Sequence, residues 1–371
     1  MKLLIVIHSL ASGGAERVAT NLANYWSKKK WDTTVATMAS GEANYFQLDY
    51  SVQYISLDLA SDSRNVLDAL VKNANRVFAL RRLLLTIQPD IVVAMMNTTC
   101  VHLALAAIRL PIKCIGAERE HPSMSRVGRI WSFLRRVTYG RLDAVVALTN
   151  EGAQWLISNT WAKRVSVIPN AVVWPLPEYP PRIDPDTVGV SSRKRLLAMG
   201  RLDSVKGFDM LLDAYIQLEQ QHSDWELVIV GEGGDRDALQ NRIDSAHLSD
   251  KAMLVGQVGN PSDWYRSAHL FVLSSRHEGF PNVLVEAMAH GLPVVSFDCE
   301  AGPRNIISHE KDGLLVPAGD TTALVAALDR MMSNSRLRDA IAFQAAGIRH
   351  RLSEEHIQSL WAQLFRDLMS E

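Results

Sequence analysis

Residues 274–293 read Ser274-Ser275-Arg276-His277-Glu278-Gly279-Phe280-Pro281-Asn282-Val283-Leu284-Val285-Glu286-Ala287-Met288-Ala289-His290-Gly291-Leu292-Pro293. An apolar run at 269–273 precedes this stretch and reads as a buried strand. Pro281 is placed to open an amphipathic helix, which Gly291 and Pro293 close. A second apolar run at 293–297 follows. Strand, loop, helix and strand in this order form a βαβ unit of a parallel sheet. The loop carries Glu278, and Glu286 lies about one turn inside the helix, with helix N-terminal amides between them that attract anions. The alternative is a helix with one acid near its cap and one on its surface.

The same alternation runs outward in both directions. Apolar runs recur at 3–7, 34–38, 52–57, 90–95, 112–117, 143–148 and 165–168, between helical periodicities such as 66–87. The first half is therefore a doubly wound, mostly parallel α/β domain. Five prolines between Pro175 and Pro185 interrupt the pattern, which restarts with strands near 195–199, 226–230, 252–255, 269–273 and 293–297. A chain of 371 residues is too long for one ordinary core. The expected division is a first domain over 1–174, a proline-rich linker over 175–190, a second domain over 191–352, and a C-terminal helix over 353–371 packed on one of the two.

Composition narrows the function classes. The net charge is −1, but residues 1–174 hold 20 Lys and Arg against 12 Asp and Glu, and the remainder hold 19 against 28. A basic half implies an anionic partner: nucleic acid, an anionic membrane surface or a phosphorylated substrate. Three cysteines (Cys100, Cys114 and Cys299) show no metal-type spacing, and an odd number cannot all pair within the chain, which points to a reducing cytosol. The apolar start at 3–7 is too short for a signal peptide, and no run approaches the roughly 20 apolar residues of a membrane span.

Ligands of doubly wound sheets bind beyond the carboxyl ends of the strands, and four loops there carry chemistry. Gly13-Gly14-Ala15-Glu16-Arg17 follows the first strand; it is either a phosphate-binding turn or a tight connection. Glu118-Arg119-Glu120-His121 follows the strand at 112–117. Gly200-Arg201-Leu202-Asp203-Ser204-Val205-Lys206-Gly207 brings two cations to one strand end, a set suited to a diphosphate. Gly231-Glu232-Gly233-Gly234 fails as a dinucleotide fingerprint because Arg236 stands where the third glycine belongs. Cys299, on the 298–303 loop, reads as a small filler. No Ser-His-Asp or metal-ligand constellation is present in the pattern.

Between Pro122 and Leu142 there is no acid, while Arg126, Arg129, Arg135, Arg136 and Arg141 interleave with Ile130, Trp131, Phe133, Leu134 and Val137. This is the composition of an interfacial amphipathic helix, or of a packed helix with a solvated basic face. Lys72, Arg76, Arg81 and Arg82 form a second basic row on the earlier helix.

The Gly13-Gly14-Ala15-Glu16-Arg17 turn, the Gly200-Arg201-Leu202-Asp203 loop with Lys206-Gly207, and Glu278 with Glu286 after seven intervening residues, in this order, resemble the family 4 retaining glycosyltransferases over nearly the whole chain. The resemblance implies a GT-B architecture of two Rossmann-like domains facing across a cleft, with neither metal nor cofactor. It implies that Arg201 and Lys206 neutralise the donor diphosphate, that Glu278 holds donor-sugar hydroxyls near the reacting carbon, and that Glu286 binds the ribose. Phe280, Pro281 and Asn282 would contact sugar and phosphate through their backbone, and Gly13 and Gly14 would approach the diphosphate.

Within the family, the Gly-Gly-Ala-Glu-Arg-Val start and Glu118-Arg119 are similar to enzymes that extend lipid-linked glycans. That implies an acceptor site at Glu118, Arg119 and His121, and membrane contact through Arg126, Arg129, Trp131, Arg135 and Arg136. The implied partners are a nucleoside-diphosphate sugar (UDP-linked), a polyprenyl-diphosphate glycan and an anionic membrane surface, with no nucleic acid. The expected location is the cytoplasmic face of the inner membrane. Asn305 stands where related sequences often carry a glutamate. Alternatives are a nucleotide-sugar epimerase or hydrolase on the same fold, and a nucleotide-binding protein of the membrane surface without turnover.

Overall fold

The computed structural model describes residues 1–11, 13–41, 46–61, 64–124, 128–190 and 192–370. They form two compact units: Met1–Asn170 together with the residues from Glu355 on, and Ala171–Glu354.

In the first unit the strands are β1 (Lys2–Ile7), β2 (Asp32–Thr37), β3 (Gln53–Ser56), β4 (Ile91–Met95), β5 (Lys113–Ala117), β6 (Ala144–Ala147) and β7 (Val165–Val167). They pair in parallel in the order β3-β2-β1-β4-β5-β6-β7. Ile5 lies in register between Val35 and Val93. β4 is buried along its length, as a strand covered by helices on both faces requires. The order reverses between β1 and β4, the place where sheets of this kind open a crevice. The helix Val66–Ile87 has the bounds that its periodicity predicts, and Asn65 caps it by accepting the Asp68 amide at 2.8 Å.

In the second unit β8 (Lys194–Met199), β9 (Trp225–Val230), β10 (Ala252–Gly256), β11 (Leu270–Leu273), β12 (Val294–Asp298) and β13 (Leu314–Pro317) pair in parallel in the order β10-β9-β8-β11-β12-β13. The core beneath is built on Leu196, Leu227, Leu270, Val295, Phe297 and Trp225, all fully buried. β13 has no counterpart among the expected strands: it is an edge strand directly after a polar turn.

The proline-rich segment lies along the second unit, where Tyr179 donates to the Gly259 carbonyl at 2.7 Å and Gly259 to Pro181 at 2.6 Å. The C-terminal helix Glu354–Met369 returns to the first unit. It buries Ile357, Trp361, Leu364, Phe365 and Leu368, with the Phe365 ring 5.4 Å from Trp26 and 5.7 Å from Trp31.

Candidate active site

The second sheet reverses between β8 and β11, so the loops that follow these strands leave it side by side. After β8 the chain makes a short 3₁₀ turn, Ser204–Lys206, capped by the Asp203 carboxylate. It then passes through Gly207 into the helix Phe208–Leu218. Gly207 holds φ +62°, and a Cβ there would run into the Ser274 carbonyl. Only glycine lets the two loops approach this closely.

Backbone and side-chain hydrogen bonds join these loops. Arg276 donates through its amide to the Val205 carbonyl at 2.8 Å and through Nη1 to the Ser204 carbonyl at 2.7 Å. Its guanidinium grips Asp209 in a two-point ion pair at 2.8 and 2.6 Å. The Ser274 hydroxyl donates to the Lys206 carbonyl at 2.9 Å.

On this frame the Lys206 ammonium lies 2.7 Å from Glu278 Oε1. The Ser275 hydroxyl donates to the same oxygen at 2.6 Å. Lys206 and Glu278, expected as separate diphosphate and sugar contacts, are thus one ion pair. Arg201 differs: its side chain is 80% exposed and, among the described residues, pairs with Asp203 at 3.2 Å. Cys299 donates to the Ser275 carbonyl at 2.9 Å. Burial, with the Glu278 charge adding to it, pushes the Cys299 thiol up to about 12, so it is a filler and not a nucleophile. The 302 turn packs on the same loop: a Cβ at Gly302 would meet Pro281 and the Gly279 carbonyl.

The helix after the loop spans Asn282–Ala289, and Pro281 opens it from the N-cap position. Phe280 is buried. Glu286 is 6% exposed, and the fully buried Tyr265 donates its hydroxyl to Glu286 Oε2 at 3.0 Å. His290 binds the Glu286 carbonyl at 2.7 Å and Ser262 at 3.1 Å, and its ring lies 4.8 Å from Tyr265. Beside these loops, Gly231 and Gly233 bring the turn after β9 against the carbonyls of Gly200 and Leu202. Their role is close approach of backbone to backbone.

The first unit holds the other expected residues. Gly13 and Gly14 start the helix Gly14–Lys28, but the Glu16 carboxylate occupies the space beside Gly13. The Glu16 amide donates to that carboxylate, and burial raises its pKa.

Glu118 is 1% exposed and accepts the Tyr139 hydroxyl at 2.5 Å, with Arg135 Nη1 at 3.8 Å. Burial pushes its carboxyl up to about 7 against both neighbours. Arg119 is buried, bonds Asn170 at 3.2 Å and lies 5.5 Å over the Trp361 ring. His121 is buried and bonds Ser123 at 2.7 Å.

The basic helix spans Arg129–Thr138 and corrects part of the membrane reading. Arg135 is 4% exposed, donates to the Pro122 carbonyl at 3.1 Å and lies 4.5 Å over Trp155. It faces the protein because Glu118 and Trp155 wait there. Trp131 packs on the core, its ring 5.4 Å from His102. Arg129, Ile130, Phe133 and Arg136 form the exposed face, with Ile130 at 67% and Phe133 at 65%. Arg126 lies outside the described residues. Among the described residues no helix is long and apolar enough to cross a membrane, and no group of three His, Cys, Asp or Glu side chains could hold a metal ion.

Ser275, Arg276, Asp209 and Tyr265 escaped the reading of residue patterns. A serine, a surface ion pair and a core tyrosine carry no local signal, and only the loop pairing reveals them.

Residues 12–173 match the family model described as Glycosyltransferase Family 4, and residues 183–347 match that of Glycosyl transferases group 1. The chain is 30% identical over 347 residues, 93% of each protein, to the amylovoran biosynthesis glycosyltransferase AmsD of Erwinia amylovora. It is 27% identical over 369 residues, 99% of each, to a Campylobacter jejuni alpha-1,4-N-acetyl-D-galactosaminyltransferase whose name gives a diNAcBac-PP-undecaprenol glycan as its substrate. The structure of Anabaena Alr3699/HepE in complex with UDP superposes with a TM-score of 0.78 at 19% identity over 100% of both chains. The two parallel α/β units are those of the GT-B fold.

Proposed function

Because the chain belongs to the family 4 glycosyltransferases, we propose that it moves a hexose or N-acetylhexosamine from a UDP-sugar to a polyprenyl-diphosphate-linked glycan in bacterial surface polysaccharide or glycan-precursor assembly, with retention at the anomeric carbon. The observation that carries this reading is the Lys206–Glu278 pair at the sheet reversal, with Glu286 on the helix that follows. Lys206 uses one ammonium N–H on Glu278, and its other two are directed to the donor diphosphate. Arg201, exposed on the same loop, adds the second cation. With two cations on the diphosphate, the reaction is expected to proceed without a metal.

In the reaction an acceptor hydroxyl oxygen forms a bond to the anomeric carbon as the bond to the diphosphate oxygen breaks. UDP departs carrying the acceptor's proton. Glu278 holds sugar hydroxyls and Glu286 the ribose, so that catalysis is positioning and charge stabilisation, not attack by a protein nucleophile. The named substrate of the Campylobacter relative supports the lipid-linked acceptor, and the UDP complex of the Anabaena neighbour supports the nucleotide.

The second unit is assigned to the donor and the first to the acceptor, through Glu118, Arg119 and His121. Buried Glu118 serves there through its hold on Tyr139 and Arg135. The exposed face of Arg129, Ile130, Phe133 and Arg136 is assigned to an anionic membrane surface, which makes the protein peripheral on the cytoplasmic side of the inner membrane. Arg135 and Trp131 are withdrawn from that contact.

The test is a panel of UDP-sugars against a lipid-diphosphate disaccharide, with the anomeric configuration of the product read by NMR. Labelled sugar passing into butanol-extractable lipid is expected. Acceptor-independent hydrolysis or epimerisation of the donor would overturn the reading.

A further inference from the structure

Glu278 is a carboxylate whose two oxygens have been given different surroundings. Oε1 accepts two hydrogen bonds, from Lys206 Nζ at 2.7 Å and from the Ser275 hydroxyl at 2.6 Å. Oε2 accepts none among the described residues, yet it is not among the sealed polar atoms that lack a partner. The side chain as a whole is 9% exposed.

A carboxylate held at one oxygen only by a lysine can rotate about its terminal torsion, which is broad and roughly two-fold. A second donor on the same oxygen, from a different direction, fixes the plane. Ser275 is suited to be that donor. It is 1% exposed, it stands at the carboxyl end of β11 three residues before Glu278, and its carbonyl is held by the Cys299 thiol at 2.9 Å.

We propose that Ser275 is a positioning residue of the transferase reaction: with Lys206 it engages Glu278 Oε1 and turns Oε2 toward the hydroxyls of the donor sugar. Ser275 touches no substrate in this role. It acts on how the sugar lies relative to the leaving diphosphate, and so on turnover and on the choice among epimeric sugars, not on binding of the nucleotide. This rests on the reading of Glu278 as the sugar-binding carboxylate.

The experiment compares Ser275→Ala, Ser275→Thr and Glu278→Gln with the unaltered protein. Turnover is followed with whichever UDP-sugar is the best donor and with its 4-epimer, UDP affinity by calorimetry, and stability by thermal unfolding. Ser275→Ala is expected to lose about 10- to 100-fold in kcat and to narrow the ratio of kcat/KM between the two epimers, with UDP affinity and thermal midpoint retained. Ser275→Thr, which keeps the hydroxyl, is expected to restore most of the turnover and the ratio. Wild-type turnover and selectivity in Ser275→Ala, beside an impaired Glu278→Gln, would overturn the proposal alone. So would a loss in Ser275→Ala matched by equal losses of UDP affinity and stability, since that marks a merely structural serine. Wild-type turnover in Glu278→Gln would overturn the reading of Glu278 itself, and the proposal with it.

Discussion

The Lys206 ammonium and the Glu278 carboxylate, 72 residues apart in the chain, meet at 2.7 Å where the second sheet reverses direction. The pair is only partly buried, with side-chain exposures of 19% and 9%. Each partner therefore holds the other in place while remaining reachable, which is the arrangement that electrostatic stabilisation of a departing diphosphate requires.

Removing that cation should act mainly on turnover. Lys206→Ala is expected to lower kcat about 10²- to 10³-fold, as measured with the donor and acceptor pair found in the panel. Arg201→Ala should raise the KM for donor while leaving thermal stability unchanged, because an exposed ion pair adds little to folding. Wild-type kcat in Lys206→Ala would exclude the lysine from the reaction.

Tyr265 offers a test of the nucleotide end. Replacement by Phe removes the buried donor from Glu286 Oε2, a change expected to destabilise the second unit by about 1–3 kcal/mol. If Glu286 binds the ribose, the same variant should lose discrimination between UDP and 2′,3′-dideoxy-UDP in calorimetry. Undiminished discrimination would separate Glu286 from the ribose.

Gly207 should tolerate no side chain. Its φ of +62° and the Ser274 carbonyl beside it make Gly207→Ala both strained and crowded, at an expected cost of about 1–3 kcal/mol. Denaturant midpoints measure this, and turnover should fall as the Lys206 loop separates from Glu278.

Glu118 predicts a pH dependence. Its carboxyl, raised by burial to about 7, is neutral in the fold over a range where it ionises in the unfolded chain. The stability tied to the neutral form is complete below the ordinary carboxylate range. It is lost as pH rises from there through about 7. Glu118→Gln should flatten this fall and gain up to about 3 kcal/mol relative to the parent above neutral pH. Parallel stability curves for the two proteins between pH 4 and 8 would show that Glu118 is not the titrating group.

The exposed helix face yields the membrane prediction. Arg129→Glu with Arg136→Glu should weaken flotation with anionic liposomes while the fold is retained. Arg135→Glu should instead disrupt folding, since it would set a second acid beside Glu118. Flotation unchanged in the double variant would leave the face as ordinary solvated surface.

Much of this architecture was legible in local patterns. Twelve apolar runs between glycine and proline punctuation identify two parallel α/β halves, with Arg201, Lys206 and Glu278 on strand-end loops and Glu286 on the helix that follows. Such patterns depend on neighbours within a turn or two, where side-chain direction follows directly from the helix or strand period. The edge strand β13 was the one strand of the second sheet that these patterns missed.

What lay beyond the sequence was decided by which elements became neighbours. The order β8-β11 sets Lys206 on Glu278 and brings Ser275 beside it. The rotation of the helix Arg129–Thr138 turns Arg135 inward to Glu118 and leaves Arg136 outside, although adjacent arginines are indistinguishable by composition. The return of Glu354–Met369 to the first unit lays Trp361 beneath Arg119. A period reports which residues share a face. What that face meets is settled by competition among all faces of the folded chain for burial and for charge partners, and that competition exists only in the tertiary structure.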